Sequence, residues 1–250
     1  MAPAVRQNLH LIPEIGPVGD GARNGMGIET KPEGGVARRR EEILARLPEG
    51  CRLLAVSKGQ PAGAIRTLAA AGQRSFAESR LQEAIAKQQE LADLPGLDWH
   101  FIGRLQANKV RGVVQRFGTI HSLDSLALAE RLARIAAEEQ RSPEVFLQVK
   151  LLPDPSKGGF EPQELRRLWP QLQQLAPLRI TGLMVMAPLG LDLPERQALF
   201  RDGAALAAEL GLRELSMGMS GDWPEAAAAG STWVRVGSAL FGQRAAPATN

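Results

Sequence analysis

The sequence predicts an α/β chain folded as a single (β/α)8 TIM barrel with one extra helix in front, and three observations carry that expectation. From Arg38 onward, short apolar runs alternate with longer helical segments. The runs are near-continuously apolar rather than alternating, as in parallel strands covered by helices. About eight such units fit into roughly 210 residues, the small end of the size range for this barrel. A doubly wound open sheet competes, and periodicity alone does not separate the two.

A charged helix is expected over 38–47 and a buried strand over 53–57. Pro61 opens the next helix from a favoured first-turn position, and Gly72 ends it. A strand over 75–77, a helix over 80–91, a strand over 99–102 and a helix over 107–115 follow. Thr119-Ile120-His121 is strand-like, and Ser122 or Asp124 is placed to cap the long helix running to Glu139. Then come a strand over 145–150, a helix over 162–175, a strand over 180–186 and a helix over 194–210. Leu215 and Ser216 end a short strand. Asp222, Pro224 and Glu225 open a helix through the alanines that Gly230 stops. Trp233 to Val236 is the last strand, and Gly237-Ser238 opens a final short helix.

The first 36 residues crowd glycines with Pro3, Pro13, Pro17 and Pro32 and keep no period, which predicts a flexible tail. Residues 37–244 form the expected barrel domain, and 245–250 a second loose tail. The glycine-rich segment fits neither G-x-G-x-x-G nor the Walker spacing.

Composition narrows the function. The 250 residues carry 30 Lys and Arg against 27 Asp and Glu, a net charge of +3. That surplus and an aromatic content of 4% argue against a nucleic-acid surface. Arg38-Arg39-Arg40 reads as a solvated helix start. No segment reaches the ~18 apolar residues of a membrane helix. Cys51 is the one cysteine, which excludes an internal disulfide and a cysteine-cluster metal site. No H-E-x-x-H or paired histidine motif supports a metal, and Gly218-Met219-Ser220-Gly221 lacks the spacing of a hydrolase elbow. A free thiol with no secretory pattern points to the cytoplasm.

In a barrel, chemistry sits at the C-terminal ends of the strands. The first strand ends in Ser57-Lys58, and alternation places Lys58 on the face of Leu54 and Val56. Facing a closed apolar mouth, its amine would be disfavoured as a cation and available to attack carbonyls. In the last strand, Val234 and Val236 share one face while Trp233 and Arg235 share the inward one. An inward guanidinium needs a partner or ligand to offset its desolvation. Gly237 lets a ligand approach the backbone, and Ser238 offers a hydroxyl and an amide at a helix start. The seventh strand ends in Ser216-Met217-Gly218-Met219-Ser220-Gly221, again rich in donors, and the loops after strands seven and eight are the habitual phosphate site of this fold. Lysine, phosphate cradle and inward arginine together suggest pyridoxal 5′-phosphate (PLP). Arg235 beside the ring nitrogen would keep that nitrogen unprotonated and weaken the ring as an electron sink.

The runs Leu53 to Lys58, Trp99 to Gly103 with Leu105-Gln106-Ala107-Asn108-Lys109, Leu215 to Ser220, and Val234 to Gly242 resemble the PLP homeostasis protein family, also called YggS/PROSC. The resemblance runs from about Arg38 to Gly242. It implies a barrel like the N-terminal domain of alanine racemase, with Lys58 as the Schiff-base lysine. Ser216, Gly237 and Ser238 would hold the phosphate, and Arg235 would face the ring nitrogen. Lys157-Gly158 resembles the family's Lys-Ser-Gly stretch. Ser79 stands where the family usually has Asn.

The resemblance implies a protein that holds PLP reversibly on Lys58 and buffers or delivers it, without strong catalysis. The alternative is a PLP-dependent amino-acid racemase or lyase. Such a racemase takes a tyrosine from its partner subunit as second acid/base, and this sequence contains no tyrosine. Cys51 precedes the first strand, at the wrong end of a barrel; His100 and His121 read as structural, and His10 lies in the tail. PLP-dependent apoenzymes or a regulatory protein are the expected partners, and the chain is expected to be a monomer.

Overall fold

A computed structural model describes residues 34–153 and 158–242. Its strands are β1 (Arg52–Val56), β2 (Ser75–Glu78), β3 (Asp98–Phe101), β4 (Thr119–Leu123), β5 (Glu144–Val149), β6 (Arg179–Val185), β7 (Glu214–Ser216) and β8 (Trp233–Val236). All pair in parallel with their sequence neighbours, and β1 pairs with β8, with Leu54 opposite Arg235. That last pairing closes the barrel and excludes the open sheet. The helices are α1 (Gly34–Leu44) before the barrel, then α2 (Ala62–Ala70), α3 (Leu81–Glu90), α4 (Val110–Arg116), α5 (Leu126–Glu138), α6 (Pro162–Leu172), α7 (Leu193–Glu209), α8 (Trp223–Ala228) and α9 (Ser238–Phe241). None is long and apolar enough to cross a membrane.

Alternation along each strand divides the buried residues into two layers. Leu53, Ala55, Val234 and Val236 pack outward with Ile65, Leu68 and Leu240 of the helices. Leu54, Val56, Ala77, Phe146, Met184 and Trp233 fill the barrel interior. The expected division of β8 into an outward valine face and an inward Trp233–Arg235 face is the one found.

Several boundaries differ from the sequence expectation for local reasons. Pro61 is the residue before α2, with ψ at 156°, not its first helical residue. β4 runs on through Ser122 to Leu123, so neither Ser122 nor Asp124 caps α5; Ser125 takes that place without a side-chain cap bond. α7 has a reciprocal capping box, in which Asp192 accepts from the Glu195 amide at 2.9 Å and Glu195 accepts from the Asp192 amide at 2.8 Å. α1 begins at Gly34, four residues before the expected start. The tail expectations for 1–33 and 245–250 lie outside the described residues, as do those for His10 and Lys157.

Candidate functional site

The C-terminal mouth of the barrel holds a cavity of about 360 Å³. Val56, Ile102, Met184, Met186 and Met219 make its apolar wall, and Lys58, Ser220, Arg235 and Ser238 its polar one. A few convergent polar groups in an apolar cleft of this size make a small-molecule site.

Of the residues expected at the site, Lys58, Arg235, Gly237 and Ser238 line this cavity, and Ser216 does not. Ser216 is fully buried one level lower, paired in register with Trp233, two residues before Arg235 along β8. The seventh-strand loop instead presents Ser220, whose Oγ accepts from the amides of Gly237 and Ala239, both at 3.2 Å. Gly218 makes that loop possible. Its φ is +86°, and a Cβ there would lie 2.7 Å from Ala226 Cβ and 2.8 Å from Trp223 Cα. At Gly237 a Cβ would meet the Val56 carbonyl at 3.3 Å, so only a bare backbone passes freely beside β1. Ser79 follows β2 and is not among the lining residues.

Lys58 departs from expectation in one respect. It shares the cavity with Val56 as alternation requires, but the mouth is open and Lys58 is exposed. Its Nζ donates to no protein group among the described residues.

Arg235 is 4% exposed. It donates to the Ser216 carbonyl, to Ser216 Oγ at 2.7 Å and to the Val185 carbonyl at 3.0 Å. Its Nε–H donates to nothing among the described residues, which leaves that donor for an acceptor brought from outside the chain. Burial lowers Arg235 to about 10, against the opposing pull of Asp222, so the group is a cation at neutral pH.

Beneath Arg235 a line of hydrogen bonds crosses the barrel interior. Ser216 Oγ lies 2.8 Å from His121 Nδ1, His121 Nε2 lies 2.8 Å from His100 Nδ1, and His100 Nε2 lies 2.6 Å from Asp98 Oδ2. With both rings neutral, one arrangement satisfies every bond. Arg235 donates to Ser216, Ser216 to His121, His121 to His100, and His100 to Asp98. The line thus runs from a buried cation to a half-exposed carboxylate at the far end of the barrel. Phe146 stacks on His121 at 4.3 Å, and Trp233 packs edge-on against His100 at 4.9 Å. The structural reading of both histidines holds in that neither lines the cavity.

This line makes stability depend on pH. Burial first, then the neighbouring His100 and the Arg235 cation, hold His121 well below the usual 6.5. The unfolded chain takes a proton there near pH 6.5 and the native chain does not. Stability is therefore full above that pH and falls below it, by up to about 1.4 kcal/mol per pH unit for this one proton. Glu78 acts with the opposite sign, because burial raises its carboxyl and the native state holds that proton at higher pH. Urea unfolding between about pH 7 and pH 5 should show a shallower pH slope in His121→Leu than in the parent. Equal slopes would mean that His121 is protonated in the folded protein.

Cys51 lies at the opposite end of the barrel, as expected. Burial, opposed by Arg52, raises its thiol to about 11, which leaves it protonated and unreactive. No group of three or more metal-ligating side chains occurs among the described residues.

The sequence model of the family described as alanine racemase, N-terminal domain, matches residues 36–245. The pyridoxal phosphate homeostasis protein of Synechocystis is 50% identical over 209 residues, which span 81% of this chain and 96% of that protein. The structure of PipY from Synechococcus elongatus without PLP is 57% identical, with a TM-score of 0.81, and covers 83% of this chain and 100% of its own. Its counterpart with PLP bound is 56% identical with a TM-score of 0.80 and the same coverage.

Proposed function

Since the chain belongs to the alanine racemase N-terminal domain family, among the pyridoxal phosphate homeostasis proteins, we propose that it binds PLP in the mouth cavity and stores and hands on the cofactor. The observation that carries this reading is the donor set of that one cavity. A primary amine and a guanidinium Nε–H, both without a partner among the described residues, and the Ser220–Gly237–Ser238 wall surround one apolar space. These are complementary to an aldehyde, a ring nitrogen and a phosphate. When bound, the cofactor supplies an aldehyde that condenses with an amine, forming a C=N bond and releasing one water.

Lys58 Nζ provides that amine from an exposed position, where a recipient reaches the bond as readily as water does. Arg235 directs Nε–H to the ring nitrogen, and Ser216 beneath it holds the guanidinium rather than the phosphate. Gly237 and Ser238, with Ser220, take the phosphate. Among the described residues the lining contains no carboxylate, histidine or cysteine, and the sequence has no tyrosine. A second acid/base on the far side of an amino acid is therefore not provided, which favours carriage over racemisation. The same reading takes the protein to be a cytoplasmic monomer whose recipients are PLP-dependent apoenzymes or a regulatory partner.

The test is to add PLP to the cofactor-free protein and follow the visible absorbance, then to add alanine in deuterated water. We expect a visible band and no α-proton exchange at catalytic rates. Catalytic exchange would replace carriage with amino-acid chemistry, and the absence of a band with excess PLP would remove the cofactor assignment.

A further inference from the structure

Behind the turn that carries Lys58, on the outer side of the barrel wall, lies a buried ionic cluster with no place in the cofactor site. Glu78 ends β2 with its side chain fully buried, and Lys87 of α3 is 7% exposed. Lys87 Nζ lies 2.7 Å from Glu78 Oε1 and 2.6 Å from Glu83 Oε1. A fully buried carboxylate and a nearly buried ammonium, with a second carboxylate at the edge, would be costly without compensating bonds. Those bonds go to one place. Lys87 Nζ donates to the Ser57 carbonyl at 2.7 Å, Ser57 Oγ donates to Glu78 Oε1 at 2.6 Å, and the Gly59 amide donates to Glu83 Oε1.

Among the described residues, every side-chain hydrogen bond the cluster makes outside itself thus falls on Ser57 or Gly59, the two neighbours of Lys58. Leu81 and Ala84 already hold α3 against the barrel, so what the cluster adds is a hold on the turn itself. Lys58 makes no side-chain bond among the described residues, and the backbone on either side aims it. We propose that Glu78, Glu83 and Lys87 form a positioning clamp that orders the Lys58 turn and directs its amine into the cavity. The clamp rests on the PLP reading for its purpose, but not for its effect on the backbone.

Glu83→Ala is the first variant. It removes the Gly59 acceptor at a partly exposed position and leaves the buried Glu78–Lys87 pair intact, so folding is retained. In the cofactor-free protein, amide exchange over 58–60 should rise about tenfold, while β1 and β8 keep their protection. PLP affinity, read from the visible band, should fall about tenfold. Glu83→Gln keeps an acceptor and should restore both values. In a Lys58→Ala background the same Glu83→Ala change should alter residual PLP affinity by less than about twofold, because it acts through Lys58. Unchanged exchange over 58–60, or an equal affinity loss in the Lys58→Ala background, would overturn the clamp. If the parent shows no band but the exchange still responds, the clamp on the turn is supported and the cofactor reading fails.

Discussion

Lys58→Ala is expected to abolish covalent capture of PLP and to weaken binding by at least about 100-fold, close to 2.7 kcal/mol. What remains would come from the phosphate wall and Arg235, neither of which needs the amine. The stability of the fold should barely change, within about 0.5 kcal/mol, because the side chain is exposed and makes no hydrogen bond or ion pair among the described residues. This combination separates a ligand-bearing lysine from a structural one. Borohydride fixation and peptide mass mapping of the parent should place the adduct on the peptide containing Lys58. Lys87 is a poor competitor, closed in by two carboxylates, and Lys150 is bridged to Glu161 at 3.2 Å. Full-strength covalent capture by Lys58→Ala would move the site to another lysine and remove the basis of the clamp.

The parts of this site that were legible in the sequence are those that depend on one strand at a time. Period-two alternation put Lys58 with Leu54 and Val56, and Arg235 with Trp233, because those relations need no knowledge of neighbouring strands. The structure sets Ser216 below the cavity lining because its height depends on register. β7 is only three residues long, and pairing Ser216 with Trp233 puts it one layer below Arg235. The residue that reaches the mouth is Ser220, lifted there by the turn at Gly218. A glycine inside a donor-rich loop was a usable hint of that turn, but not of its height.

The closed mouth expected around Lys58 failed for a related reason. A strand end fixes which way a side chain points, not how far the surrounding loops rise above it. The histidine line joins β3, β4, β7 and β8, and the ionic cluster joins β1, β2 and α3. The first requires β4 and β7, distant in the chain, to meet, and the second requires β1 and β2 to pair with α3 laid over them. Only the Glu83–Lys87 spacing of four within α3 was a local sign of the latter.

Arg235→Met is expected to lower the stability of the cofactor-free protein by about 2–4 kcal/mol, through partners left behind rather than through the lost charge itself. Removing a buried guanidinium relieves its desolvation. It also strips the Val185 carbonyl, the Ser216 carbonyl and Ser216 Oγ of their donor at a position that is 4% exposed. Each unsatisfied buried acceptor costs about 1–3 kcal/mol, so the losses exceed the relief. PLP affinity should fall as well, by about 10-fold, the equivalent of one charge-assisted hydrogen bond. The sharper test is the pair with His121→Leu. The two side chains do not bond each other; each bonds Ser216 Oγ, whose hydrogen is directed to His121 only because Arg235 occupies its lone pair. If the line from Arg235 to Asp98 acts as a unit, removing a second member costs less once the first is gone. The double variant should then be more stable than the sum of the single losses predicts, by about 1 kcal/mol or more in urea unfolding. Strict additivity, within about 0.5 kcal/mol, would show Arg235 to be held by the carbonyls of β6 and β7 alone. The histidines would then be packing for Phe146 and Trp233, with no bearing on the guanidinium above them.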